Sequence, residues 1–392
     1  MVTSKRMPCT GHKKELPVPN LFRVPLKKQI DDSYDIEIGM DLFSRLTADL
    51  SSGLLGEASK YALITDSNVE KLYARDLEKQ LTAAGFDAHL LSFTAGEASK
   101  TRETKARLED RMIELRFGRD SAVIALGGGV VTDLAGFLAG TFGRGIPFIN
   151  YATTLLAAAD ASVGGKTAVN TPAATNLIGL FHQPKKVYID INTWKTLPVR
   201  ELRCGLAETI KHACAADAAF FEYLEKQIDG ILPVQGKEHI LDEAVCSHIA
   251  RKNCEIKYNV VRQDEKETNL RQILNLGHTI GRALEPLSGY ALLHGEALAI
   301  GLALQTRLAA AFGYMTRAQA QRVVDLLVRT GLPVEIPHAI TPEALIKKLY
   351  TDKKVRKNRI RFVFQKGIGS MMRFSGGSYS QPVSEEQIKA VL

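Results

Sequence analysis

Residues 121–140, SAVIALGGGVVTDLAGFLAG, open with Ser121 and five apolar residues, then three glycines. A continuous apolar run of this length is the pattern of a strand buried on both faces of a parallel sheet. Gly127, Gly128 and Gly129 follow it, and the pattern from Val130 past Asp133 to Gly140 is helical. Glycines between a buried strand and a helix let the backbone approach a pyrophosphate closely. The helix N-terminus adds unpaired N–H donors and positive dipole charge. The spacing is not the common GxGxxG. Taken alone, the run is equally a tight strand-to-helix connection, with Asp133 a dipole-favourable acid.

Working outward, YALIT (61–65) reads as another buried strand that ends in the turn and helix cap Asp66-Ser67-Asn68. A helix is expected over 69–84, stopped by Gly85, then a strand over 88–93 and a polar helix over 101–116. This alternation is that of a doubly wound, Rossmann-like α/β domain, placed over residues 30–198. Between elements, SFTAGEASK (92–100) supplies Glu97 and Lys100; an acid after a strand suits ribose hydroxyls, or a solvated loop. Past Pro198 the spacing becomes 3.6-residue over 200–228, 236–261, 270–287, 294–313, 316–330 and 341–350, and only 360–364 reads as a strand. Residues 199–392 are therefore expected to be mainly helical, and no repeat is visible.

The chain has 392 residues, 45% hydrophobic and 24% charged, ordinary for a two-domain globular enzyme. Its net charge of +8 invites a nucleic-acid reading, but +6 of it lies in residues 1–28, where seven basic residues face Glu15 alone. The body is nearly neutral, and phosphate-backbone affinity needs clustered charge. Residues 1–29 are read as a solvated basic extension, with a targeting segment or polyanion contact as alternatives. No secretory h-region or membrane-length apolar stretch is seen, so the default placement is cytoplasmic. Cys9, Cys204, Cys214, Cys246 and Cys254 are few and irregularly spaced, as for free thiols in a reducing compartment.

Three helical patterns carry metal-ligand chemistry: GLAETIKH (205–212), GHTIG (277–281) and LHGE (293–296). Glu208 with His278 and His294 would offer a carboxylate and two imidazoles to one divalent ion, leaving positions open for substrate oxygens. A rival pair exists in Glu208 and His212, four residues apart on one helix face, and two capping histidines are the bland alternative. His182 is a further participant or a plain loop residue. Basic residues recur beside glycine and asparagine: Arg144, Lys166, Lys211, Lys257, Arg271 with Asn275, Lys353 and Lys354, with Asn176 as a neutral donor. Glycine flanking brings backbone and cation together at an anion.

In this order the segments resemble the 3-dehydroquinate synthase family of sugar-phosphate cyclases from about residue 60 onward. The carrying motifs are GGGVVTDLAGF (127–137), RG (144–145), TTLLAAADASVGGKTAVN (153–170), NLIGLFHQP (176–184), TLPVRELRCGLAETIK (196–211), LRQILNLGHTIG (270–281), LHGEALAIG (293–301) and DKK (352–354). The resemblance implies an NAD-binding α/β domain, a helical domain and a homodimer. It also implies a cleft holding NAD and a divalent metal, zinc or cobalt. By its motifs Glu208, His278 and His294 match the metal ligands. Asp66, Asn68, Glu97, Lys100, Gly127, Gly128, Gly129, Asp133, Thr153 and Thr154 match NAD contacts, with Thr196 and Leu197 as weaker matches. Asp160, Lys166, Asn176, Lys211, Lys257, Arg271, Asn275 and one of Lys353 and Lys354 match substrate positions, and Arg144 matches an arginine given across the dimer.

The implied reaction converts 3-deoxy-D-arabino-heptulosonate 7-phosphate to 3-dehydroquinate plus phosphate, within the shikimate route to chorismate and aromatic amino acids. A hydroxyl is transiently oxidised and phosphate is eliminated, the leaving phosphate being the candidate base. Reduction, ring opening and an aldol closure follow. Two positions depart from the family pattern. Arg282 stands where a second histidine is usual, and Thr175 replaces the lysine before Asn176. Arginine keeps a charged donor but does not titrate near neutral pH. Aminodehydroquinate synthase, cyclases of sedoheptulose 7-phosphate or glucose 6-phosphate, a metal-dependent polyol dehydrogenase and an inactive NAD-binding relative remain the alternatives. Intact SVGGK and LRQILN favour dehydroquinate synthase.

Overall fold

Residues 26, 29–172, 174–232, 241–350 and 359–392 are described by the computed structural model. The strands of its first half are β1 Asp35–Gly39, β2 Lys60–Asp66, β3 Ala88–Phe93, β4 Ser121–Gly127, β5 Phe148–Ala152, β6 Lys166–Val169, β7 Ile178–Phe181 and β8 Lys186–Asp190. Six of them form one parallel sheet in the order β1-β8-β5-β4-β2-β3. β4 is central and buried at every residue, which is why it has no polar alternation. Its side chains go alternately to two cores. Val123 and Ala125 meet Val131, Leu134 and Leu138 of the helix Gly129–Thr141 on one face. Ala122, Ile124 and Leu126 meet Leu46, Leu77 and Leu81 on the other. β6 and β7 pair antiparallel as a separate hairpin.

This topology sets the place of the cleft. From β2 the chain goes out to the edge strand β3, then crosses back over β2 to β4 and on to β5. The order therefore reverses between β2 and β4, and ligands of open α/β sheets bind outside the carboxyl ends at such a point. Those ends are Asp66 and Gly127, held in register where Thr65 Oγ1 donates to the Leu126 carbonyl at 2.8 Å.

Beyond Pro198 the chain is mainly helical, as expected, with Val199–Ala216, Glu243–Val261, His278–Leu287 and His294–Ala311 the segments nearest the cleft. They share a hydrophobic core with Ala152, Val187 and Ile189 of the sheet. The strand expected at 360–364 is β9 Arg361–Val363, paired with β10 Ser380–Pro382. Two expected helices are broken. The helix over 200–228 stops at Asp217, whose carboxylate accepts from Phe220 N–H and caps Ala218–Gln227. The helix over 270–287 starts as a 3-10 turn, Leu270–Asn275. The left-handed Gly277 (φ +77°) then restarts it at His278. β1, β5 and β8 have no counterpart among the strands read from the sequence. Each is five residues long, and the acids of β1 mask its edge position.

Glycines decide how near the helices come. A Cβ on Gly301 would run into the Gly277 carbonyl, and one on Gly295 into the backbone of Cys204 in the Val199–Ala216 helix. Gly281 lies with its missing Cβ 3.0 Å from the Ala297 carbonyl. Gly301→Ala should therefore force the two histidine-bearing helices apart and cost about 1–3 kcal/mol, as over-packing does. Denaturant unfolding checks this; a variant as stable as the parent would refute the close approach.

Candidate active site

Glu208 sits mid-helix in Val199–Ala216 with no exposed surface. Nε2 of His278 lies 3.3 Å from its Oε1, and Nε2 of His294 lies 3.1 Å from the same oxygen. Both histidines are the first residues of their helices, so the rings project from helix starts toward one point. The other nitrogen of each ring is engaged behind it. His278 Nδ1 faces the Leu276 carbonyl at 3.2 Å, and His294 Nδ1 faces Glu285 Oε1 at 2.9 Å. A carbonyl or carboxylate on Nδ1 fixes the tautomer with Nε2 free to coordinate, which is how metal-bound histidines are usually oriented. The ligand atoms all lie within 4.8 Å of one another. Donor types, spacing and ring orientation fit one divalent cation.

Electrostatics agree. Burial pushes the His278 imidazole down to about 4, against the pull of Glu208, so it is neutral and its lone pair is available. Burial opposes charge on Glu208, but Lys211 and His278 hold its carboxyl well below the usual range. Burial also opposes charge on His294, yet Glu285 and Glu208 raise it to about 10. Two carboxylates around two imidazoles make a site that demands positive charge.

Glu208 also lies within ligand distance of Asp160 and His212. That second cluster suits a cation poorly. Asp160 Oδ1 is already ion-paired with Lys257 Nζ at 2.8 Å, and Lys211 Nζ stands 3.9 Å from it. His212 has Asn253 Oδ1 3.0 Å from Nδ1, and burial together with Lys211 pushes its ring down to about 3, so this ring is neutral as His278 is and the ammonium groups alone set the two clusters apart. Ammonium groups fill the space a metal would need.

The site opens into a cleft of about 930 Å³. On the sheet side its walls include Asp66, Asn68, Gly128, Gly129, Thr153 and Thr154, with Thr196 and Leu197 below them. Gly127 is buried at the end of β4, where a side chain would strike Val131, so it serves packing. Asp66 caps the following helix, its Oδ1 accepting from Asn68 N–H at 2.9 Å and Val69 N–H at 3.0 Å. Lys100 Nζ bridges Glu97 at 3.0 Å and Asp133 at 3.1 Å on the same wall. Burial opposes charge on Lys100, but these two carboxylates raise its ammonium above the ordinary value. Burial raises the Asp133 carboxyl.

Asp160, Lys166, Asn176, Lys257, Asn275 and Arg282 line the other side with His278 and His294. Lys211 and Arg271 stand behind the wall; Lys211 is ion-paired with Glu208, and Arg271 donates to the carbonyls of Glu265 at 2.6 Å and Gly164 at 2.9 Å. Arg144 is exposed, at φ +74° between two glycines, away from this chain's own cleft. His182 is structural: Nε2 meets the Ile146 carbonyl at 2.9 Å and its ring stacks on Phe148. Lys353 and Lys354 lie outside the described residues.

Sequence reading missed Glu285 and Glu267. Glu285 follows His278 by seven residues, two helical turns along the same face, so a signal was present. Glu267 had none: it reaches the cleft from a loop at φ +59°, pairing with Lys166 Nζ at 2.5 Å and accepting from Asn275. Asp264 pins that loop, accepting from Thr268, Asn269 and Arg271 N–H at 2.7, 2.7 and 3.0 Å.

Residues 90–204 match the family model for the 3-dehydroquinate synthase N-terminal region, and residues 205–355 match that for its C-terminal region. The 3-dehydroquinate synthase of Desulforamulus reducens is 44% identical over 361 residues, covering 92% of this chain and 96% of that one. Among solved structures, 2-epi-5-epi-valiolone synthase from Streptomyces hygroscopicus, with NAD+ and Zn2+ bound, superimposes with a TM-score of 0.83. It is 28% identical, with 94% of this chain and 98% of that one covered. A 2-deoxy-scyllo-inosose synthase complexed with carbaglucose-6-phosphate, NAD+ and Co2+ gives a TM-score of 0.76 at 25% identity, with 91% and 95% covered.

The ring-orienting carboxylate generates a measurable outcome. Glu285→Gln should weaken zinc binding ten- to a hundredfold, about the usual effect of losing such a partner. Glu208→Ala or His278→Ala should abolish binding, while His212→Asn should leave it close to the parent's in a chelator-competition titration. Loss of binding in the His212 variant would instead favour the second cluster.

Proposed function

The chain belongs to the 3-dehydroquinate synthase family, and from that premise we propose that this cleft, with NAD and a divalent cation bound, converts 3-deoxy-D-arabino-heptulosonate 7-phosphate to 3-dehydroquinate and phosphate. The activity is that of a carbon–oxygen lyase acting on phosphate. The observation that carries the active-site reading is the convergence of two imidazole Nε2 atoms on one carboxylate oxygen, at 3.1 and 3.3 Å, in the cleft that the glycine turn also lines. When bound, the cofactors supply a reversible hydride acceptor and a Lewis acid, so that a transient ketone acidifies a neighbouring C–H, phosphate leaves, and the ketone is reduced before aldol closure.

The chain's own residues divide the remaining work. Gly128 and Gly129, at the start of the Gly129–Thr141 helix, offer backbone N–H groups to a pyrophosphate. The Glu97–Lys100–Asp133 cluster and Asp66 border the same space and suit sugar hydroxyls. Lys166, Lys257, Asn275, Asn176 and Arg282 face the site from the other side and hold the substrate's phosphate and carboxylate. Asp160 ion-pairs with Lys257 at 2.8 Å and opposes the burial that lowers its ammonium. Arg144, exposed on its glycine-flanked turn, is offered to the cleft of a second copy in a homodimer.

Arg282 and Thr175 both line the cleft. The pair is read as a compensated exchange of cations: Arg282→His alone weakens phosphate binding, and adding Thr175→Lys restores much of it. Simple additivity across the four-member mutant cycle would sink that compensation.

The test of the activity is a substrate panel with purified protein, NAD and zinc or cobalt. Phosphate release is expected from the heptulosonate phosphate, with no net NADH and full loss on chelation. Faster release from its amino analogue or from sedoheptulose 7-phosphate would move the substrate to another sugar-phosphate cyclase chemistry.

A further inference from the structure

Asp160 and Lys166 both face the cleft, yet the turn joining them has two left-handed glycines, Gly164 at φ +89° and Gly165 at φ +63°. Such a turn has little intrinsic preference for one shape, since glycine is the residue with the most backbone freedom. Its shape is imposed from outside. Asn150 Nδ2 donates to the Ser162 carbonyl at 2.9 Å, and His182 N–H donates to the Gly165 carbonyl at 2.8 Å. Between them the Gly164 residue is held from both sides. Its carbonyl accepts from Arg271 at 2.9 Å, and its N–H donates to the hydroxyl of Tyr34 at 2.8 Å. Tyr34 comes from the residue just before β1 and packs against the main helical core. A Cβ on Gly164 would sit 2.5 Å from the Arg271 guanidinium, so the clamp is close-fitting.

We propose that Tyr34 is a positioning residue for the reaction: its hydroxyl, opposite Arg271, sets the Gly164 peptide and so aims Lys166 into the substrate site. The inference rests on the reading of Lys166 as a substrate contact. Tyr34 does not touch the cleft and acts only through the turn. Burial raises its phenol, which therefore stays neutral through the working pH range. Removing the hydroxyl leaves the Gly164 N–H without its acceptor, while the ring that packs the core is retained.

The experiment is Tyr34→Phe in the full-length, NAD- and zinc-loaded enzyme, in the parent and in a Lys166→Gln background. Amide hydrogen exchange read by mass spectrometry should speed up about tenfold or more over the peptide containing Gly164, the order expected when one buried hydrogen bond is lost. In the parent background kcat/KM should fall about tenfold or more. In the Lys166→Gln background the same change should have almost no further effect, because the group being aimed is gone. Equal falls in both backgrounds, unchanged exchange at Gly164, or a variant that no longer folds would each overturn the proposal; the last would make the hydroxyl a determinant of folding. If Lys166→Gln alone keeps the parent's activity, the substrate role of Lys166 fails instead, and the exchange measurement still decides whether Tyr34 clamps the turn.

Discussion

A carboxylate with no exposed surface is an expensive thing to build into a protein, and Glu208 is the group around which this one is arranged. Left alone among the apolar residues of its helix it would take up a proton. Instead Lys211 on the same helix and the imidazoles of His278 and His294 gather at its two oxygens. Each partner is brought by a different element, so the cost of burying this charge ties three helices together.

Close approach is the means. Two of the helices meet where Gly277 and Gly301 lack side chains, and the third is reached through Gly295 against Cys204. Gly277 and Gly295 stand beside His278 and His294 in sequence, whereas Gly301 lies two helical turns beyond His294. Their role proves to be spatial. They remove the side chains that would hold the imidazoles out of reach of a shared ion. The left-handed Gly277 also interrupts a run of helical spacing and turns His278 into a first-turn residue, aimed out of the core.

On the sheet side the constraint is topological. The reversal between β2 and β4 leaves Asp66 and the glycine turn beside one another, although some sixty residues of chain separate them. The apolar run at 121–126 could be read as a central strand because burial on both faces removes polar alternation. The five-residue strands β1, β5 and β8 were not read, although runs as short at 61–65 and 360–364 were. Glu285 was readable in principle from its helical distance to His278. Glu267 and Tyr34 were not: one depends on a loop pinned by Asp264, and the other meets Gly164 across 130 residues of chain.

By itself the sequence determined the alternation of strands and helices between about residues 61 and 140, the helical character after Pro198 and the glycine turn, while the choice of Glu208, His278 and His294 over the Glu208/His212 pair came from the resemblance to the family. The former are properties of local period and residue chemistry, which need no partner to be expressed. Tertiary structure alone decided that Glu208, His278 and His294 converge, while the Asp160 carboxylate beside His212 is taken up by Lys257. It also decided that Arg271 supports a turn from behind the cleft wall. The physical reason is that coordination and electrostatic environment depend on distances of a few ångströms between residues far apart in the chain, and only packing sets those.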